Sequence, residues 1–191
     1  MNTMTDRNYI AIDFEYANDA PGSICAYGLA FPDGTQEHGF IQLHPDNPIQ
    51  DRTRFHTITQ EQTDSGASFE SLYARIESLS ADSNTIFIAH DLKSDRRAWH
   101  AACLKHEMEI LPLSWIDSLP IAREELQIGK GKPGTGIASM AARYGISIEH
   151  HNPADDALIS MEIIKRNPHS KNIIRDTNKD QISRAILKLN K

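Results

Sequence analysis

The chain has 191 residues, of which 39% are hydrophobic and 24% charged, so it can bury one sizeable core and is neither a disordered nor a fibrous protein. Twenty Lys and Arg against 26 Asp and Glu give a formal net charge of −6 at pH 7, which argues against a broad basic surface that grips many phosphates. Residues 1–9 lack the apolar run of a secretion signal and no segment is apolar enough to span a bilayer, so we expect a soluble cytoplasmic protein. Cys25 and Cys103 form no CxxC pair, so we expect neither a disulfide framework nor a cysteine zinc site.

The apolar pattern places strands first and then alternates helices with strands. In chain order it predicts strands at residues 9–12, 24–31 and 37–43, a helix at 69–79, a strand at 85–89, and helices at 94–106, 136–144 and 153–164. Pro32-Asp33-Gly34 has the composition of a hairpin turn, and residues 44–54 and 128–136 contain several Pro or Gly and predict loops. Three leading strands followed by βα units indicate an α/β protein in which helices pack against a mixed sheet.

The basic residues are concentrated at the C-terminal end. From residue 165 onward eight Lys and Arg accompany only two acidic residues, so the rest of the chain is strongly acidic. Apolar residues at helical spacing predict an amphipathic helix there: Ile182, Ala185, Ile186 and Leu189. We expect residues 1–167 to form one domain and residues 168–191 a basic helical tail that packs on it or extends from it. Such a tail suits either a solvated helix face or a secondary contact with a phosphate backbone.

Two acidic residues follow the opening strand. Asp13 and Glu15 point to the same side of an extended segment, because side chains alternate along a strand. Two carboxylates on one side of a strand end make an oxygen cradle for a hard cation such as Mg²⁺. An acid-x-acid triplet also arises by chance in a chain this acidic, so the pair alone does not identify a site.

A third carboxylate, Asp95, leads the helix that follows the strand at 85–89. It shares a helix face with Ala98, Trp99 and Ala102, and this apolar face packs inward. A carboxylate on a packing face is costly unless it is paired, hydrogen-bonded or metal-bound. The alternative is an ordinary acid near a helix N-terminus, where the helix dipole favours negative charge.

The last cluster surrounds the start of the helix at 153–164. Asn152 is a favoured N-cap and Pro153 suits the first helical position, so His151 lies in the preceding loop. Asp156 lies on the apolar face of the helix and points toward the body of the protein. An imidazole in a loop beside a carboxylate on a helix suits a general base and a metal ligand. The alternative is that His151 is a surface loop histidine.

The order of these clusters resembles the motifs of the DEDDh 3′–5′ exonucleases at five residues: Asp13, Glu15, Asp95, His151 and Asp156. This group includes the proofreading subunit of bacterial DNA polymerase III, ribonuclease T and oligoribonuclease. Its pattern is a strand that ends in Asp-x-Glu, a second strand followed by His-Asn-x-x-x-Asp, and a His followed five residues later by Asp. The resemblance extends over residues 9–164. It implies a ribonuclease H-like fold, with residues 1–167 as the exonuclease domain.

Two further segments resemble the family. Phe55-His56-Thr57-Ile58-Thr59 is similar to the His-Gly-Ile-Thr segment that contacts the terminal nucleotide in the family, and residues 117–123 resemble the strand-to-helix element before its last motif. Four residues depart from the family pattern: Tyr16 replaces Thr, Thr57 replaces Gly, Asp91 replaces Asn and Ser94 replaces an aromatic residue. All the expected metal ligands and the base remain, so we expect these departures to affect substrate preference.

The resemblance implies metal-dependent removal of nucleotides from the 3′ end of single-stranded DNA or RNA, with DNA modestly preferred. Four carboxylates carry the negative charge that two Mg²⁺ or Mn²⁺ ions would neutralise. In this scheme Asp13 bridges both ions, and Glu15 and Asp156 hold the ion that orients the attacking water. Asp95 binds the other ion, largely through water.

The remaining residues of the expected site handle the proton and the substrate. His151 takes the proton from the attacking water. Tyr16, Phe55 and His56 stack on or wedge against the last base, a contact that tolerates any base.

Two other functions would use the same residues. A non-catalytic nucleic-acid-binding or scaffold module would keep the fold and lose the chemistry, and a ribonuclease H-like endonuclease would cut internally with similar carboxylates. The sequence leaves open the choice between DNA and RNA. It also leaves open the biological pathway, a homodimer, and a polymerase or repair partner.

Overall fold

A computed structural model describes residues 7–45, 49–50, 56–149 and 151–171, and within them five strands form one mixed sheet. The strands are β1 (Asn8–Tyr16), β2 (Ile24–Ala30), β3 (Gln36–Phe40), β4 (Thr85–Ala89) and β5 (Trp115–Asp117). The helices are α1 (Gln60–Asp64), α2 (Phe69–Ser80), α3 (Lys93–Lys105), α4 (Ser118–Leu126), α5 (Ile137–Tyr144) and α6 (Pro153–Arg166). The sheet order is β3-β2-β1-β4-β5, in which β2 is antiparallel to both of its neighbours and β1, β4 and β5 are parallel.

The predicted mixed sheet with helices packed against it is confirmed. The largest differences in the strand boundaries are that β1 continues to Tyr16 and β3 ends at Phe40. The apolar pattern did not predict β5 and α4, which only the resemblance of residues 117–123 to a strand-to-helix element indicated. The apolar periodicity does not predict α1, which is too short to show a repeat. It is instead stabilised by a capping box between Thr59 and Gln62, a local signal that the sequence does contain.

The sheet separates two apolar cores, and β1 contributes to both. Its even-numbered residues pack with α2 and α3: Ile10, Ile12 and Phe14. Its odd-numbered residues pack with α6: Tyr9 and Ala11. Because side chains alternate along a strand, the two faces of β1 stay the same as far as Glu15, where the pairing with β2 becomes irregular before Tyr16.

β1 extends beyond its pairing with β4 and leaves an open edge of the sheet. Asn8–Ala11 pair with Thr85–Ile88, and β1 then continues through Tyr16. The carboxyl ends of the parallel strands β1 and β4 therefore lie at the same edge. In α/β sheets ligands usually bind outside such ends.

Two predictions fall partly or wholly outside the described residues. These are Phe55 and the basic tail at 168–191, of which only residues 168–171 are described. The proposed domain boundary at residue 167 follows the end of α6 at Arg166. Within the described ranges, none of the helices is both long enough and apolar enough to cross a membrane.

Candidate active site

β1 carries the first two carboxylates on the face that α6 covers. Tyr9 and Ala11 pack in the core beneath α6, and the alternation of side chains continues this face to Asp13 and Glu15. Glu15 is buried, with 7% of its surface exposed, and Asp13 is partly buried. The strand therefore points two acids into the space beneath the start of α6.

α6 can approach Asp13 because the residue opposite it on β2 is a glycine. Gly28 pairs with Asp13, and a Cβ atom at Gly28 would lie 2.1 Å from the carbonyl carbon of Pro153. No side chain fits such a distance, so only glycine allows the first turn of α6 to rest on this strand. The sequence pattern was not used to predict a role for Gly28, although a glycine inside a strand often indicates the close approach of another backbone segment.

The first turn of α6 fixes the third carboxylate. The side chain of Asn152 accepts a hydrogen bond from the Ala154 N–H at 3.1 Å and caps the helix, with Pro153 at its first position. Asp156 follows on the buried face and is 6% exposed. Because the predicted cap sets the residue at which α6 begins, Asp156 lies on the helix face that is turned toward β1 rather than toward solvent.

His151 lies at the rim of the same pocket. Its Nδ1 is 3.9 Å from Oε1 of Glu15, and 34% of its side chain is exposed. One ligand atom each of Glu15, His151 and Asp156 lie within 4.8 Å of one another. The backbone of His151 is left-handed, with φ of 68°, a conformation that is uncommon for a residue other than glycine and is frequent at functional sites.

Asp95 lies on α3, which packs on the other face of the sheet, and it contacts two residues of the pocket wall, Phe14 and Tyr16. Its Oδ1 accepts hydrogen bonds from the Phe14 N–H at 3.3 Å and from the Tyr16 hydroxyl at 3.1 Å. Only 3% of Asp95 is exposed. These two bonds, both to β1, hold the carboxylate at the open edge beyond the end of β4.

The carboxylates are close enough to change each other's ionisation. The pKa of Asp13 is raised well above its usual value, first by burial and then by the negative charges of Asp95, Asp156 and Glu15. Burial also raises the pKa of Asp95 to about 7, although the two hydrogen bonds that it accepts oppose the rise. Such a group of acids is stable in its charged form only with a cation among them.

The pocket itself fits a hard divalent cation. It has a volume of about 300 Å³, and no Lys or Arg is among the described residues that line it. The lining residues are Asp13, Phe14, Glu15, Tyr16, His56, His151 and Asp156. Carboxylate oxygens with one imidazole beside them suit Mg²⁺ or Mn²⁺, whereas softer metals prefer thiolates.

Tyr16 and His56 line the pocket and are hydrogen-bonded to each other. Nδ1 of His56 accepts from the Ile58 N–H at 3.2 Å, so in the neutral ring Nε2 carries the proton and donates to the Tyr16 carbonyl at 2.9 Å. His56 is 6% exposed, so little more than a ring edge or face remains for a substrate. The sequence did not indicate that Tyr16 contacts Asp95 or that its hydroxyl is also hydrogen-bonded by Ser94.

A family model described as "Exonuclease" (RNase_T) matches residues 11–164, and no curated protein matches. Among solved structures, the nuclease domain of 3′hExo, a DEDDh family member bound to rAMP, has a TM-score of 0.72 at 14% identity and covers 93% of this chain and 99% of that one.

Two other solved structures are similar. E. coli exonuclease I in complex with a dT13 oligonucleotide has a TM-score of 0.70 at 15% identity, over 88% of this chain and 42% of that one. Exonuclease X in complex with 5′ overhanging duplex DNA has a TM-score of 0.59 at 15% identity, over 85% of this chain and 94% of that one. These likenesses confirm the predicted ribonuclease H-like fold, a mixed sheet flanked by helices. The family match spans most of the chain and includes every carboxylate of the pocket. This chain therefore belongs to the exonuclease family.

Proposed function

We propose that this protein is a metal-dependent 3′–5′ exonuclease that removes nucleotides from the 3′ end of single-stranded nucleic acid. The observation that carries the proposal is that Asp13, Glu15 and Asp156 line one pocket with an imidazole at its rim, while a fourth carboxylate, Asp95, lies close enough to act on the charge of Asp13. Solved neighbours that hold rAMP or a dT13 oligonucleotide support a nucleic-acid substrate. We rank single-stranded DNA first and RNA second, and the same site chemistry serves both.

The carboxylates would hold two Mg²⁺ or Mn²⁺ ions: Asp13, Glu15, Asp95 and Asp156. When bound, such ions supply an activated water and stabilise the negative charge on the leaving 3′ oxygen. Four carboxylates carry four negative charges, which two divalent ions neutralise. The raised pKa values of Asp13 and Asp95 support this assignment, because bound cations would relieve both the repulsion among these carboxylates and the cost of burying their charges.

His151 is the proposed general base. It is the imidazole at the rim, 3.9 Å from Glu15, and partly open to solvent, so it can accept a proton from the water and pass it on. Its place in a loop lets it adjust to the substrate, while Asp156 stays on the rigid helix. The hydrogen bond that it would make to the water forms only when substrate is present.

Tyr16 and His56 are proposed to contact the last nucleotide, together with Phe55. The hydrogen bond between His56 and the Tyr16 carbonyl holds their two segments together at the pocket wall. A wall of ring edges and faces contacts any base, which suits removal of nucleotides regardless of sequence.

Incubation with end-labelled single strands tests the proposal. With Mn²⁺, 3′-labelled DNA should release labelled mononucleotide at once, whereas 5′-labelled DNA should shorten stepwise. EDTA and Asp13→Asn should each abolish cleavage, and Asp82→Asn, an exposed acid in the loop before β4, should not. A 3′-phosphate block should stop the reaction, so cleavage of blocked strands would indicate an endonuclease, and no cleavage of any strand a non-catalytic module.

A further inference from the structure

The pocket lined by Asp13, Glu15 and Asp156 is called the acid pocket, and a second cavity adjoins it on the side of α3. Its volume is about 340 Å³, within the range of small-ligand sites, and its walls are the loop between β1 and β2 and the start of α3. Tyr16 lines both this cavity and the acid pocket, so one side chain separates the two. We call it the α3 cavity, defined by these lining residues: Tyr16, Asp19, Gly22, Asp91, Lys93 and Arg97.

Lys93 and Arg97 give the α3 cavity two cations. They are four positions apart on α3, so they lie on the same helix face about one turn from each other. Both are exposed, and within the described part of the chain neither forms an ion pair or a side-chain hydrogen bond. Their charges are therefore available to a ligand.

The other cavity next to the acid pocket lacks such charges. It lies beside His151, has a volume of about 210 Å³, and the described residues that line it include Glu149 but neither Lys nor Arg. A nucleic-acid strand carries one negative charge on each phosphodiester. Of the two cavities, the α3 cavity is thus the one that offers the strand full positive charges.

The walls of the α3 cavity are ordered without a ligand. The Ala17 N–H donates to the Ser23 carbonyl at 2.7 Å, and the Ser23 hydroxyl donates to the Asn18 carbonyl at 2.8 Å, which closes the loop between β1 and β2. A Cβ atom at Gly22 would lie 2.7 Å from the backbone nitrogen of Ala102, so this loop packs directly on α3. A cavity with fixed walls loses less conformational entropy when a ligand binds.

Asp19 and Asp91 restrict which anion the α3 cavity accepts. Their carboxylates line the same cavity as Lys93 and Arg97, so they repel a free, multiply charged phosphate more than a singly charged phosphodiester. A phosphodiester within a strand carries a single charge, and the base next to it has N–H groups that can donate to the carboxylates. The lining therefore suits one phosphodiester together with its nucleoside.

We infer that the α3 cavity binds the phosphodiester that precedes the scissile one, so that the substrate strand leaves the acid pocket past Tyr16 and along Lys93 and Arg97. This inference rests on the proposed exonuclease function and adds the path of the strand to it. The terminal nucleotide remains in the acid pocket. The nucleotide that precedes the scissile bond then contributes binding affinity through a site that plays no part in the chemistry.

The test combines a double variant with two substrates. Lys93→Gln with Arg97→Gln removes both cations of the α3 cavity. The matched control is Lys105→Gln with Lys165→Gln, which removes the same charge from the last turns of α3 and α6. Lys105 is about 18 Å from Lys93 along the helix and therefore lies away from the α3 cavity. The substrates are an oligothymidylate and the 4-nitrophenyl ester of thymidine 5′-phosphate, which has the scissile phosphate but no preceding one.

The inference predicts that the double variant raises the KM for oligothymidylate by about 10–100-fold, at least tenfold more than for the nitrophenyl ester. The slope of log KM against log salt should also fall by about one to two, while the control variant matches the parent. An unchanged KM for oligothymidylate, or an equal loss on both substrates, would overturn the inference while the proposed function stands. If the parent hydrolyses neither substrate, the proposed function itself is wrong, and the inference is wrong with it.

Discussion

The hydroxyl of Tyr16 donates a hydrogen bond to Oδ1 of Asp95 across 3.1 Å, and the side chain of Ser94 hydrogen-bonds to the same hydroxyl. Tyr16 and Ser94 both depart from the family pattern, which has Thr and an aromatic residue at these positions. In this chain the aromatic ring is on β1 instead of α3, and its hydroxyl holds a carboxylate of the pocket. The two departures therefore belong to one contact.

Tyr16→Phe removes this donor and keeps the ring. A hydrogen bond to a charged group contributes about 1.5–3 kcal/mol, so we expect the Mn²⁺ concentration for half-maximal cleavage to rise by about tenfold or more. The pKa of Asp95 should also rise further, because the bond from Tyr16 opposes its increase. Titration of cleavage and of binding heat with Mn²⁺ measures the effect.

Tyr144→Phe is the matched control for this prediction. It also removes a hydrogen bond from tyrosine to a carboxylate, 2.6 Å to Oε2 of Glu125, and neither residue lines the acid pocket. Equal Mn²⁺ requirements for Tyr16→Phe and the parent would show that Tyr16 does not position Asp95.

His151→Ala should slow cleavage by about 10²–10⁴-fold, the usual contribution of a general base. Mn²⁺ binding should persist, because the carboxylates of the pocket are unchanged. Single-turnover cleavage and calorimetry together separate the two effects. His169→Ala, an exposed histidine outside the acid pocket, is the control, and a His151→Ala rate equal to the parent rate would remove His151 from the mechanism.

Asp95→Asn should change how the stability of the metal-free protein depends on pH. Asp95 has a pKa of about 7 when folded and a usual value of 3.8, so between these values the folded protein binds more protons than the unfolded chain. Its contribution to the free energy of unfolding therefore falls as the pH rises through this interval. The Asn variant lacks this loss and also removes the charge of Asp95 that raises the pKa of Asp13, so its stability relative to the parent should increase between about pH 4 and pH 8, by on the order of a few kcal/mol.

Urea unfolding in EDTA at a series of pH values tests this prediction. Burial lowers the pKa of His90 and of His100 to about 4, which makes both proteins lose stability as the pH falls. This loss is common to parent and variant and cancels in their difference. A difference that stays constant with pH would contradict the raised pKa of Asp95.

Gly28→Ala should separate α6 from β1. The added methyl group would lie 2.1 Å from the backbone of Pro153, so either the helix or the strand must move. We expect the free energy of unfolding to fall by about 1–3 kcal/mol or more and cleavage to fall further, because Asp156 and His151 move with α6. Gly129→Ala, which has open space around it, should match the parent in both measurements. Full activity of Gly28→Ala would show that the close approach is not needed.

The sequence predicted four of the five strands, four of the helices to within two residues, and the positions of the acids on these elements, because these features have local patterns. The alternation of side chains along a strand predicted that Asp13 and Glu15 lie on one side of β1. Helical periodicity predicted that Asp95 faces the core, and Asp95 is buried. The cap at Asn152 and Pro153 predicted where α6 begins. Each of these inferences needed only a few neighbouring residues.

Contacts between distant segments could not be predicted in this way. The Tyr16 hydroxyl meets Asp95 only because β1 extends past the end of β4. Gly28 is required because the backbone of Pro153, 125 positions further along the chain, packs on it. No local sequence pattern contains this contact. The α3 cavity likewise exists because one loop packs on one helix.

The central proposal is that four carboxylates from distant parts of the chain, three lining the acid pocket and Asp95 beside it, hold divalent cations. The most direct measurement is anomalous diffraction from a crystal soaked in Mn²⁺. The account predicts two Mn²⁺ peaks in the acid pocket, with Asp13 bound to both and oxygens at about 2.1 Å, and their loss in Asp13→Asn. A crystal with Mn²⁺ at saturating concentration and no peak among these carboxylates would contradict it.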